Sequence, residues 1–180
     1  MIRWMLLATV LLGAGAGVAQ AHTGHAADGV LAGMLHPFGG LDHLLAMMAV
    51  GIWATQTARR DSRALWLVPS AFVAVMVGGG ALALAGFRLP LVEVGIVGSV
   101  LVLGVILLTA PSLPVWVPMA VAGGFGLFHG FAHGAELPAG SSPVAYVAGL
   151  VVATAALHGL GIATGLAVRR MAAAPPVRKP

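Results

Sequence analysis

The chemistry open to this sequence is that of imidazole and carboxylate. Its seven histidines are His22, His25, His36, His43, His129, His133 and His158. Of its five acidic residues, Asp28 and Asp61 lie clear of the apolar runs, whereas Asp42, Glu93 and Glu136 lie in one or at its edge. Cysteine is absent, which excludes disulfides, thiolate metal sites, iron–sulfur clusters and cysteine nucleophiles. Imidazole with carboxylate and no thiolate is a borderline-to-hard ligand set. It suits zinc, copper, iron and nickel, with cobalt(II) close to nickel in the same series. Magnesium would favour oxygen ligands over histidines. Affinity order alone puts copper first, so the residue types do not name the metal.

Two stretches concentrate these groups. Residues 36–43 read His-Pro-Phe-Gly-Gly-Leu-Asp-His, and residues 128–136 read Phe-His-Gly-Phe-Ala-His-Gly-Ala-Glu. At about 100° per residue, His129, His133 and Glu136 fall on one helical stripe. Pro37 suits a first helical position and disfavours the α region for the residue before it, so His36 is expected at a helix mouth. Asp42 and His43 are about 100° apart on a helix. One can face an ion while the other orients a ligand; spacing does not say which.

The elements that hold these residues must be membrane helices. The chain is 59% hydrophobic and only 8% charged, with a mean hydropathy of +1.01; an average soluble domain is about 25% charged. A water-soluble fold is excluded, and so is a disordered chain, which needs low hydrophobicity. A bilayer core about 30 Å thick needs roughly 20 apolar residues in helix. Windows at 64–87, 89–109, 113–136 and 143–168 qualify, as does 37–57 if it tolerates Asp42 and His43. A short apolar piece at 29–35 precedes the last-named window. Residues 1–21 read as a secretory signal, with Arg3, an apolar run and the cleavage site Ala19-Gln20-Ala21. Cleavage there makes His22 the amino terminus, with His25 three residues on, so both become candidate metal contacts. The expected organisation is all-α: the signal, a single polytopic bundle of about five transmembrane helices over 22–168, and a disordered cytoplasmic tail over 169–180.

Charge sets the orientation. Arg59, Arg60 and Arg63 follow the first span, and Arg169, Arg170, Arg178 and Lys179 follow the last. Placing both groups in the cytoplasm leaves only Arg88 outside, which satisfies the positive-inside tendency. The mature N-terminus is then outside and the C-terminus inside. In this frame Asp42, His43, His129, His133, Glu136 and Glu93 share a layer in the outer half of the membrane. His158 lies about 22 Å down its span at 1.5 Å per residue. A carboxylate near the bilayer centre costs at least ~2.5–3.5 kcal/mol, so such residues face the bundle interior and carry function by default. Glycines at 126, 130 and 134, and again at 161 and 165, are spaced for close helix contact.

These residues read as a permeation pathway for a divalent transition metal. From another class, a haem-binding cytochrome would draw axial pairs from His43, His129, His133 and His158, although a haem pocket does not require the adjoining carboxylates. No serine lies in a G-x-S-x-G turn, the one lysine lies in the tail, and no nucleotide-binding motif is present. Enzymatic activity, nucleic acid and nucleotide are therefore not expected, and no resident cofactor is required; the partners are the ion and the lipid bilayer.

The two histidine motifs, with the histidine-bearing segment His22-Thr23-Gly24-His25 after an export signal, resemble the HupE/UreJ family of hydrogenase and urease accessory membrane proteins. The resemblance covers essentially the whole chain. It implies a secondary permease in a bacterial-type inner membrane that carries nickel or cobalt, with copper or zinc as alternatives. It implies His36, Asp42, His43, His129, His133 and Glu136 as the functional positions. Glu93 and His158, with His22 and His25, are secondary candidates that rest on position alone.

Overall fold

The computed structural model describes residues 29–173, so the signal segment, His22, His25 and residues 174–180 lie outside the described part. Within it every regular element is helical. Helix α1 (Val30–Leu35) runs into a 3-10 turn (His36–Phe38), followed by α2 (Leu41–Thr57), α3 (Ala64–Leu84), α4 (Val92–Thr109), α5 (Trp116–Ala135) and α6 (Pro143–Ala173).

The first expected span is not one helix. Pro37 belongs to the 3-10 turn, and His36 keeps a right-handed helical backbone (φ −55°, ψ −47°) rather than leaving it. Local hydrogen bonding explains the difference. The Gly39 N–H closes the turn on the His36 carbonyl at 2.9 Å, which outweighs the pre-proline preference. Gly40 is extended at φ −121°, ψ 124°, and the pair of segments on either side of it is bent by 87°. Asp42 and His43 therefore stand in the first turn of α2, not five and six residues inside a span that starts at Pro37.

Glycines decide how the helices pack. Gly126, Gly130 and Gly134 line the face of α5 that meets α3; a methyl group at these positions would strike the carbonyls of Phe72, Met76 and Gly80 respectively. On α6, Gly149 lies against the Val30 carbonyl of α1 and Gly161 against the Met48 carbonyl of α2. The small-x3-small spacing thus brings backbones together. Met47, Val50, Trp53, Phe72, Met76 and Leu103 fill the space between helices and are buried. Large apolar side chains such as Trp66, Val94, Leu101, Val105 and Val152 face outward, an exposure that suits lipid rather than water.

Three helices, α3, α4 and α6, are long and apolar enough to cross a membrane, and a fourth crossing is available if α1, the 3-10 turn and α2 act as one broken span. Helix α5 is not among them, although it has 20 residues, because it carries two histidines and five glycines. The expected five-span count is met only in part. The last helix also continues to Ala173, so residues 169–173, expected in a disordered tail, are helical.

The two ends of the bundle differ. At one end Arg60 donates to Ser112 Oγ at 3.1 Å, Arg169 donates to the Thr55 carbonyl at 3.1 Å, and Arg63 pairs with Asp61 at 2.9 Å. At the other end lie the 3-10 turn, the start of α2 and the end of α5.

Candidate metal site

That second end gathers the histidines. In the first turn of α2, Asp42 Oδ1 accepts the His43 backbone N–H at 2.8 Å and lies 2.9 Å from His43 Nδ1. A carboxylate only accepts, so Nδ1 carries the proton and Nε2 presents its lone pair. Of the two adjacent residues, Asp42 is thus the one that orients and His43 the one that faces inward.

Helix α5 supplies the opposite wall. His129 and His133 are one turn apart and both meet His43, with ring centroids at 5.0 and 4.8 Å. His129 Nδ1 lies 2.9 Å from the Phe125 carbonyl and must donate to it, which leaves Nε2 as the free acceptor. From the 3-10 turn His36 reaches His133 at 4.7 Å and His43 at 6.3 Å between centroids. Its Nε2 is 3.1 Å from Glu136 Oε2. The structure therefore brings together all six residues singled out by the two motifs. The stripe of His129, His133 and Glu136 lies beside the glycine face that seats α5 on α3, so that seating aims the stripe at α2.

The histidines at the centre of the cluster are buried yet short of partners, while Glu136 and Asp42 stand towards its open side. His129 and His133 are at most 1% exposed. Nε2 of His43, Nε2 of His129 and both ring nitrogens of His133 are buried without a protein hydrogen bond. A buried polar group left unpaired costs about 1–3 kcal/mol, so four such atoms in one place mark a candidate binding site. With neutral imidazoles, Asp42 and Glu136 give the site two negative charges, which match a divalent cation. Among the described residues no three of these side chains already form a coordinating group around one point. The rings meet edge-on or tilted to one another rather than converging on one point.

Two residues escaped the sequence reading. Tyr146, the one tyrosine in the chain, lies 5.8 Å from His36 between ring centroids, and its buried hydroxyl has no protein partner. It shares with His133, Met76 and Gly130 a crevice of about 10 Å³, room for roughly one water. Phe72 packs on His129 at 5.5 Å. Its type gave no signal, since a phenylalanine in an apolar helix is ordinarily core.

The secondary candidates fare differently. Glu93 is exposed in the first turn of α4 and has no ion-pair or hydrogen-bond partner among the described residues, so it does not join the cluster. His158 is buried but stands behind Phe72, 5.1 Å from that ring.

Comparison with known proteins agrees with the two motifs. The family described as HupE / UreJ protein matches residues 9–179. The chain is 50% identical over 153 residues to Protein HupE of Rhizobium leguminosarum bv. viciae, which covers 85% of this chain and 78% of that protein. No solved structure matches.

Proposed function

The chain belongs to the HupE/UreJ family, and from that premise we propose that it is a secondary permease importing a divalent transition metal, nickel or cobalt, for the maturation of a metalloenzyme or cofactor. The observation that carries this reading is the set of His43, His129 and His133, whose rings lie within 5.0 Å of a neighbour and whose buried nitrogens lack protein partners. Imidazole selects this class of ion over magnesium or calcium.

In this reading the membrane is the bacterial-type inner one, the histidine cluster faces outside and the arginine end faces the cytoplasm, in keeping with the positive-inside tendency. A hydrated ion arriving from outside meets His36 and Glu136 first and exchanges water for the imidazoles of His43, His129 and His133, with the charges of Glu136 and Asp42 balancing its own. Asp42 fixes the His43 tautomer and raises its basicity, as carboxylates behind metal-ligating histidines do. Two charges moving inward through 100 mV gain about 4.6 kcal/mol, enough to drive import without a nucleotide. The haem alternative loses ground on packing: imidazole centroids 4.8–5.0 Å apart leave no slot for a macrocycle between them.

Uptake of radiolabelled nickel, cobalt, copper and zinc by cells producing the chain, with elemental analysis of the purified protein, tests the proposal. Accumulation of nickel or cobalt above cells lacking the chain is expected. Equal accumulation with and without it for all four ions would remove the permease reading, and a visible haem band in the pure protein would replace it.

A further inference from the structure

Between α3 and α6 runs a groove that opens sideways from the bundle. It measures about 390 Å³ and is walled by Pro69, Val73 and Ala74 of α3 and Ala155, Gly159 and Ile162 of α6. Ser70 adds one hydroxyl. His158 also borders it, but both its ring nitrogens are buried, so it presents carbon. Ser70, Ala74, Ala155 and Gly159 are exposed. Two helices long and apolar enough to cross a membrane therefore share an apolar furrow on their outer side.

What the furrow leads to decides its occupant. Helix α3 begins and α6 ends at the arginine end, so both stripes can be followed towards it. At about 100° per residue, Arg63 lies within about 20° of Ser70 and Ala74, and Trp66 within about 20° of Val73. Arg170 lies within about 20° of Gly159 by the same count. Residues 63 and 74 are eleven apart, as are 159 and 170, which is roughly 16 Å at 1.5 Å per residue. That is about half of a 30 Å bilayer core, the depth of one leaflet. Trp66 is 59% exposed, an amphipathic ring suited to the level where membrane meets water. Arg170 is exposed, with no ion pair or hydrogen bond among the described residues. Arg63 gives Nε and Nη2 to Asp61, which leaves Nη1 to donate elsewhere. Cation, indole and apolar trough follow one another in the order of a phospholipid's phosphate, interface and chain.

We propose that the α3–α6 groove holds an acyl chain of an anionic phospholipid whose phosphate lies between Arg63 and Arg170. Basic side chains between transmembrane helices recognise anionic headgroups in this way. A second copy of the chain, lying in the same orientation, would instead set arginines against arginines. The inference does not depend on the metal reading. It needs only that the arginine end lie at a bilayer surface.

Native mass spectrometry of the purified full-length protein, given equal amounts of phosphatidylglycerol and phosphatidylethanolamine, tests this. The wild type should retain phosphatidylglycerol in preference. Arg63→Gln and Arg170→Gln should each reduce that preference about fivefold, the weight of one basic side chain near an anionic surface. Gly159→Leu should abolish it: a β-carbon there meets no atom within 4 Å, so the added side chain has the groove to fill. Ala74→Phe serves if that variant is not recovered. Gly98→Leu on α4, where the space is equally open, should change nothing. The proposal is overturned if the wild type shows no preference, if neither arginine variant lowers it, or if the groove-filling variant keeps it. Loss of the preference in Gly98→Leu as well would overturn it too. So would a species of twice the chain mass that Gly159→Leu removes, which would put a second copy in the groove.

Discussion

The arginine end and the histidine end of this bundle treat most of their polar side chains differently. At the arginine end Asp61 and Arg63 pair at 2.9 Å in the open, Arg60 finds Ser112, and Arg169 caps the Thr55 carbonyl. Those bonds lie at exposed or part-buried positions and each of these donors finds a protein acceptor, with Gln56 Oε1 the one side-chain atom at this end that is buried without a partner among the described residues. At the histidine end four ring nitrogens of His43, His129 and His133 are buried with no protein partner. A fold that needed these side chains only to join helices would have paired them, because unpaired groups weaken such a junction. The contrast teaches that the first end mostly pairs its polar side chains with protein, whereas the second leaves a set of imidazole nitrogens unpaired, and the permease proposal rests on that difference.

The harshest way to break that contrast is to remove an imidazole from the middle of the cluster. His133 touches both His36 and His43. His133→Ala should reduce nickel and cobalt accumulation to background while the membrane content of the protein, read by immunoblot, is unchanged. An equal loss of protein from the membrane would mean that the histidine serves as polar glue, and the two ends would no longer differ in kind.

A smaller loss is expected from the carboxylate behind His43. Asp42→Asn keeps an acceptor near Nδ1 but removes the charge, and substitution of such supporting carboxylates lowers metal affinity by roughly 10–100-fold. Equilibrium binding of cobalt(II) to the purified variant measures this. A loss as complete as that of His133→Ala would make Asp42 a direct ligand rather than an orienting group.

Much of this site was legible because helical periodicity is. The spacing of His129, His133 and Glu136 placed them on one stripe, and the glycines at 126, 130 and 134 announced the adjoining contact face, both as observed. Depth along a span was a poorer guide. It put Glu93 in the same layer as the cluster, but depth carries no information about rotation, and α4 turns Glu93 outward. It likewise reached His158 without disclosing that a phenyl ring from α3 stands in between. The break at Gly39 and Gly40 was hidden for another reason. Pro37 suits the first turn of a 3-10 segment as well as that of a long helix, and only the hydrogen bond from Gly39 to His36 separates the two.

Acidity should sharpen the contrast in a graded way. A protonated imidazole has no lone pair for a metal, so uptake through the histidine end should fall as the outside pH drops from about 7 to about 5. Initial rates of nickel uptake at a clamped membrane potential would show it. A flat profile over that range would count against histidine ligation and leave the carboxylates as the working groups.

The smallest effect belongs to the arginine end. Arg63 donates hydrogen bonds to Asp61 and holds its carboxyl below the ordinary value. A lowered carboxylate value means that any stability from the pair is complete above the ordinary one and is lost only as acid titrates through the lowered one. The pair is exposed, so water and salt screen most of it even at neutral pH. Asp61→Asn also raises the positive excess of the α2–α3 loop, which strengthens the preference of that loop for the cytoplasm. Nickel uptake at pH 7 should therefore match the wild type, and the thermal midpoint of the purified variant should stay within experimental scatter. Any small difference in midpoint at pH 7 should disappear in strong acid, where Asp61 is protonated in the wild type as well. Loss of uptake in this variant would place transport chemistry at the arginine end and reverse the assignment of the two ends.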